Sequence, residues 1–457
     1  MSEKPSAKPG MPLHTRILLG LFIGAVAGVF SNRLWHDTAQ LTWFVNNVAN
    51  PVGQIFLRML FMVVVPLVFT TLALGVANLG DLRRLGRVGG KTLGFFVVTT
   101  ALAVTLGLIL VNTVQPGAGL DPAIREGLLQ QYSTQAADRV SASESTGFGI
   151  NTFVAIVPRN FVQAAANGDM LGIIFFTLVF GIALTRLPKN MADPVMKLLE
   201  GVALAVIEII GFAMKLAPFG VAGLIFVVTA TFGWGVLKSL GLYVVMVLIG
   251  LAIHEFVILG VLAKVLGGIN PITFFSKLRF VMVTAFSTSS SSATMPTTLR
   301  TAEEEFGVPR EIAGFVVPLG ATMNMNGTAL FEGMTVLFLA QVFGVHLSIG
   351  TQLIVVLMSI ITAIGAAGVP AGSIPLLVMV LGMVGVPGEG IALILGVDRI
   401  LDMSRTVPNI TGDILTSIVV ARSEGYDLVP SKAPDFSSAA ALEAVEHEHE
   451  MHSPAGD

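Results

Sequence analysis

The chain has 457 residues, 54% of them hydrophobic and only 12% charged, with a mean hydropathy of +0.82. That composition excludes an ordinary soluble domain and places the chain among membrane proteins. A formal charge of −3 offers nothing to a nucleic acid, and the absence of cysteine excludes disulfides and thiol catalysis.

In chain order, a polar, mildly basic start (MSEKPSAKPGMPLHTR) precedes Ile17–Phe30, after which no small-residue cleavage site follows. This reads as a retained first span and not a signal peptide. Stretches long and apolar enough to cross a bilayer are predicted near 16–34, 54–80, 92–113, 169–186, 200–231, 240–267, 309–345 and 388–422. Two further segments are apolar but broken: 273–297 by the serine run Ser289–Ser292, and 350–385 by Gly365, Gly368, Pro370, Gly372 and Pro375. Glycine and proline interrupt the helical ladder, and irregular backbone at membrane depth survives only where protein or a cavity surrounds it. Two such segments in one chain point to a transporter's binding site.

Arg83, Arg84, Arg87 and Lys91, then Arg186 and Lys189, with Lys4 and Lys8, follow the positive-inside pattern. Both termini are therefore expected in the cytoplasm. The polar stretch 115–150 is expected outside, and the acidic tail with His447, His449 and His452 reads as solvated chain. Asn324-Met-Asn-Gly-Thr328 and Asn409-Ile-Thr-Gly-Asp413 each follow a broken segment. The echo predicts an internal repeat in which each helix is interrupted at its Asn-x-x-Gly.

The final span concentrates charge. Asp398, Asp402, Arg405, Asn409 and Asp413 fall within a wedge of roughly 80° at about 100° per residue. Each charge costs about 3 kcal/mol inside a membrane, so the stripe has a purpose. In one reading Asp398, Asp402 and Arg405 neutralise one another. In the other they line a polar cavity, where Arg405 grips a carboxylate and Asp402 receives an ammonium. Arg399 lies further round the helix, paired or snorkelled. His254, inside a span, reads as a packed residue or a proton relay, with Glu255 as a candidate partner. No Gly-x-Ser-x-Gly elbow surrounds the serine run, which argues against a hydrolase nucleophile and against an enzyme.

STSSSSATMP, PLGATMNMNGTALFEG, AIGAAGVPAGSIP and VDRILDMSRTVPNITGD together resemble the glutamate transporter family, the dicarboxylate/amino acid:cation symporters, in its prokaryotic aspartate/glutamate branch. The likeness extends through RMLFMVVVPLVF and VPRNFVQAAANGDMLGIIFF and covers roughly residues 15–425.

The resemblance implies an all-α polytopic membrane protein with eight transmembrane helices, two re-entrant helical hairpins and inverted repeats. It implies a homotrimer in the inner membrane whose transport domain moves as an elevator. A cytoplasmic tail (1–14), scaffold spans one and two (15–91) and a transport-domain third span (92–113) would come first. An extracellular loop with scaffold spans four and five (114–235) would follow. The transport domain (236–422) would hold span six, hairpin one (270–297), span seven (309–345), hairpin two (350–385) and span eight (388–422), before a disordered cytoplasmic tail (423–457).

The same resemblance implies uptake of aspartate or glutamate coupled to sodium, with protons as a possible second ion, and with a C4-dicarboxylate as the alternative substrate. Ser289, Ser290 and Ser291 would meet the substrate carboxylates. Thr328 and Arg405 would bind the side-chain carboxylate, Asp402 the amino group, and Thr406 and Asn409 the amino-acid head, with Val369 and Ser373 closing over it. One sodium would use Gly320, Asn324, Asn409 and Asp413; a second would use carbonyls of Thr322, Ala363, Ile364 and Ala366. A third site, of Phe96, Thr99, Thr100 and Asn324, departs from the family pattern at Asn326, where an aspartate is usual. Losing that carboxylate should weaken the cation there. The auxiliary arginine of relatives is also missing, its two positions being Ser289 and Met403.

Overall fold

Gly20, Gly24 and Gly28 recur every fourth residue and share one face of the first helix, α1 (Leu13–Trp35). That face lies against Lys189–Phe232, here α6, so tightly that a Cβ on the three glycines would strike Pro218 O, Ala222 O and Thr229 Oγ1 respectively. Small residues at this spacing let two apolar helices approach backbone to backbone. The contact belongs to a computed structural model that describes residues 11, 13–35, 38–120, 125–127, 157–167, 169–366 and 368–428. The extreme N-terminus, most of the loop expected over 115–150 and the tail beyond 428 lie outside the described residues.

Between α1 and α6 run α2 (Asn50–Phe61), α3 (Val64–Leu85), α4 (Arg87–Val114) and α5 (Met170–Leu184). Beyond them come α7 (Trp234–Ala252), continued through a π-helical turn at Ile253–Leu259, α8 (Pro271–Thr288), α9 (Ser291–Arg300) and α10 (Arg310–Met323). The last four are α11 (Asn326–Phe343), α12 (Ile349–Gly365), α13 (Ile374–Met383) and α14 (Ala392–Ser423). Among the described residues there is no strand.

Among the described residues five stretches are long and apolar enough to cross a membrane: Thr15–Trp35, Ala39–Ala77, Arg87–Val114, Lys189–Phe232 and Trp234–Val265. The other three expected spans are not, each for a physical reason. The apolar α5 has only 15 residues. The seventh expected span is two helices, α10 and α11, because Asn324 and Met325 leave the helical region (φ −114°, ψ 69° and φ −106°, ψ 55°). The eighth, α14, carries Asp398, Arg399, Asp402, Arg405 and Asp413 along its 32 residues. At 44 residues α6 is also longer than its predicted span and continues through Pro194 and Pro218.

Both broken segments are helical hairpins. α8 turns into α9 at Ser289, a non-glycine residue in the left-handed region (φ 52°), followed by extended Ser290, whose hydroxyl accepts from Ala293 N at 3.1 Å and caps α9. α12 turns into α13 through a loop in which Ala371 also has positive φ (61°). The tips touch: the carbonyl of Gly368 accepts from Ser290 Oγ at 2.6 Å and from Ser292 N at 3.1 Å.

The expected interruption at Asn409-x-x-Gly412 is a correction: α14 is continuous through it. The side chain of Asn409 is spent elsewhere. Its Oδ1 accepts from Gly327 N at 2.8 Å and its Nδ2 donates to Thr328 Oγ1 at 3.2 Å. Asn409 thus satisfies an orphan amide at the start of α11, an N-cap supplied from another helix.

Where α4 begins and α14 ends, Arg87 and Lys91 clasp Glu424 at 2.8 and 2.6 Å. The Arg87 hydrogen bond, then that of Lys91, holds the Glu424 carboxyl below its ordinary value. An acid held low in the folded protein contributes stability that is fully present above its unfolded value and is lost as pH falls through the lowered one.

Two outcomes follow. Gly24→Leu should lower the thermal midpoint in detergent by the equivalent of about 1–3 kcal/mol of overpacking, whereas Leu at the exposed Ile23 should leave it unchanged. Glu424→Gln should remove part of the stability lost by the wild type on acidification; superimposable pH–stability curves would show that the clasp contributes nothing.

Candidate functional site

Where the hairpin tips, the α10–α11 break and the middle of α14 converge, a cavity is lined by Ser289, Ser291, Met325, Thr328, Gly368, Val369, Ser373, Asp402, Arg405, Thr406 and Asn409. Nine of the ten residues expected to hold substrate are brought together here. Ser290 is not among them, because its hydroxyl is committed to Gly368 O and Ala293 N. Met325 and Gly368 line the cavity and were missed by sequence reasoning. The irregular segments containing them were legible, but not which of their residues would turn inward.

Arg405 sits at the centre, 1% exposed. Its Nη1 donates to Asp398 Oδ1 at 2.9 Å, its Nη2 to Asp402 Oδ1 at 2.7 Å, and its Cζ lies 4.1 Å from the centre of the Phe331 ring. Of the two readings of the charged stripe, mutual neutralisation is therefore realised, and it is realised on the wall of a cavity. The other oxygen of Asp402 accepts from Ala371 N at 3.2 Å and lies 3.6 Å from Arg399 Nη1. Ser289 Oγ and Ser373 Oγ are buried without a partner. Unspent hydroxyls beside a guanidinium suit a carboxylate guest.

Below this cavity lies the expected sodium region. Asp413 is fully buried, accepts from Asn324 Nδ2 at 2.8 Å and leaves Oδ2 without a partner. Gly320 packs against the same carboxylate so closely that a Cβ would strike Asp413 Oδ1. A buried carboxylate matched only by a neutral amide calls for a cation, and Asn324 Oδ1, also unpartnered, adds a hard oxygen suited to one. Gly320, Asn324 and Asp413 thus fit a sodium ion.

For the second sodium set, Ala363 and Ala366 are buried at the end of α12, while the side chain of Thr322 is exposed and donates to Leu319 O at 3.0 Å. Ala321, beside Thr322, packs against Gly368, which carries the end of α10 to the second hairpin tip, and Ile364 O lies toward Gly75. For the third set, Phe96, Thr99, Thr100, Asn324 and Asn326 are all buried. Thr99 Oγ1 donates to Phe96 O at 3.1 Å. Asn326 Oδ1 accepts from Gly327 N at 3.1 Å and its Nδ2 has no partner, so an amide donor occupies the place of the expected carboxylate.

The pairing of His254 with Glu255 is corrected. Glu255 Oε1 accepts from Thr411 Oγ1 at 2.7 Å, and neither nitrogen of the buried His254 has a partner. Adjacent residues on a helix do not face each other. Sequence reasoning also passed over Glu332, fully buried on α11, which accepts from Thr362 Oγ1 of α12 at 2.6 Å. Its signal was a lone acid within TALFEGMTV.

The bundle defines a membrane carrier whose cavity is closed by two hairpin tips. The model of the sodium:dicarboxylate symporter family matches residues 13–423, and the chain belongs to that family. It is 38% identical over 427 residues (93% of this chain, 96% of the relative) to a proton/sodium-glutamate symport protein of Bacillus subtilis strain 168. It is 36% identical over 417 residues (90% and 93%) to a proton/glutamate-aspartate symporter of Escherichia coli K12. A C4-dicarboxylate transport protein of Bacillus subtilis is 33% identical over 441 residues (95% and 98%).

The amide at 326 gives a direct test. Asn326→Asp restores a carboxylate near Asn324 and Asp413, and the sodium dependence of substrate binding should steepen; an unaltered Hill slope would show that this position binds no ion.

Proposed function

We propose that this chain is a secondary active symporter that takes up L-aspartate or L-glutamate together with sodium. The observation that carries the reading is the opposed pair on one cavity wall: a buried guanidinium, Arg405, beside a carboxylate, Asp402, under two hairpin tips. A substrate with two carboxylates and one ammonium replaces both halves of that pair. One carboxylate takes Arg405, the ammonium takes Asp402, and the second carboxylate finds the hydroxyls of Ser289 and Ser373 and the amides of the serine turn. Thr328 joins Arg405 on the side-chain carboxylate, and Thr406 and Asn409 orient the amino-acid head. The names of the Bacillus and Escherichia relatives support this substrate class.

Sodium enters as co-substrate. It neutralises the unmatched carboxylate of Asp413 and ties the α10–α11 break, through Asn324, to the helix that carries Arg405. Coupling then has a simple origin, because the residues that hold the ion and those that hold the substrate share α14 and the same break in the chain. In this reading α8–α9, α10–α14, α7 and α4 form the moving domain and α1–α3, α5 and α6 the scaffold, in a homotrimer with both termini in the cytoplasm. No covalent chemistry is assigned; the protein is a transporter and not an enzyme.

A C4-dicarboxylate is the second reading. It is favoured by the engagement of both Asp402 oxygens, by Arg405 and by Ala371 N, and by the likeness to a C4-dicarboxylate transport protein. Uptake of labelled aspartate and succinate into proteoliposomes separates the two. Sodium-driven aspartate accumulation is expected; succinate uptake that aspartate does not inhibit would assign the cavity to dicarboxylates. Arg405→Cys should weaken acidic-substrate binding by about 3 kcal/mol, roughly a hundredfold, and unchanged affinity would remove Arg405 from the site.

A further inference from the structure

A second arginine stands behind the cavity. Arg399 has a side chain 14% exposed, its Nη1 is 3.6 Å from Asp402 Oδ2, and its buried Nε has no hydrogen-bond partner. With Asp398 and Asp402 it lines a separate cavity between α14, the helices α1, α2 and α6, and the second hairpin at Ala371 and Ile374. Those three are the only charged residues on that wall; Ile17, Phe56 and Val221 face them from the other side. Asp402 lines both cavities, so its carboxylate separates the two guanidinium groups.

The charges that line the two cavities sum as a quartet. Asp398 and Asp402 are matched by Arg405 at hydrogen-bond distance, which leaves one unit of negative charge for Arg399 to balance. Arg399 does so from beyond hydrogen-bond distance, through its field. Without it, the wall would carry a net negative charge before an anionic guest arrived. We propose that Arg399 is a specificity-determining residue for acidic substrates: it makes the cavity wall electrically neutral, so that a guest of net negative charge can take Arg405 from its two aspartates. It acts through Asp402 and touches no substrate. The inference rests on the reading of the front cavity as a site for an acidic substrate.

Two consequences separate a field from a fit. A field needs only the charge, so lysine substitutes for arginine, although it lacks the planar fork. The field also acts on substrate affinity and leaves the sodium region near Asp413 alone. At about 10 Å and an effective dielectric of about 20, one unit of charge alters the affinity of a singly charged guest on the order of tenfold.

The test is binding of labelled L-aspartate, or of labelled succinate should the wild type bind only that, to purified full-length protein across sodium concentrations. Arg399→Gln is expected to weaken binding roughly tenfold, and Arg399→Lys to stay within about threefold of wild type, both with the wild-type sodium slope. Wild-type affinity in Arg399→Gln, an equal loss in Arg399→Lys, or a changed sodium slope in either overturns the proposal. Should Arg399→Gln not fold, Arg399→Met takes its place, with the same roughly tenfold loss expected and wild-type affinity overturning the proposal. A wild type that binds neither acid contradicts the substrate reading instead.

Discussion

A guanidinium that is 1% exposed in the middle of an apolar bundle must be matched at close range, because an unmatched buried charge costs several kcal/mol. Much of the molecule answers that requirement. Asp402 and Asp398 lie one and two turns back along the same helix, Phe331 presents its ring face, and Ala371 brings the second hairpin onto the carboxylate that Arg405 holds. The partners that keep Arg405 folded inside are also those a carboxylate guest would displace. Stability of the empty cavity and affinity for a guest therefore draw on the same atoms.

Around this centre the backbone is irregular where ordinary spans would be smooth. Two non-glycine residues in the left-handed region, Ser289 and Ala371, turn the hairpins, and the break at Asn324–Met325 frees polar groups deep in the protein. Side chains from elsewhere tie this backbone, Ser290 to Gly368 and Asn409 to Gly327, while Asn324 at the break reaches Asp413 on α14. Irregular backbone here is tied backbone, and the ties run between helices that a sequence holds far apart.

That distance explains what could be read in advance. The hairpins were legible because glycine and proline break an apolar run, and the charged stripe because spacings of three and four residues share a helix face. The family motifs carried the cavity residues. The glycine ladder on α1 was overlooked, since its meaning depends on the backbone of α6 that it touches. Asn409 was read as a break in its own helix because Asn-x-x-Gly does not say whose amide the side chain will serve. Glu255 was assigned to its neighbour in sequence, when its partner was Thr411, on another helix. In each case the missing information was a tertiary contact, which local pattern does not encode.

The contact between the hairpin tips has a thermal consequence. Gly368 O receives two hydrogen bonds, one from a hydroxyl and one from an amide, each worth about 1 kcal/mol net. Were these the whole of the tie, closure would be favoured by only about 2 kcal/mol, and the tips would stand apart in roughly one molecule in thirty. A tie of that size would open by thermal fluctuation, without an energy source of its own. The bond from Ala371 N to Asp402 Oδ2 adds to it, so a guest that took Asp402 would compete with part of what holds the tip.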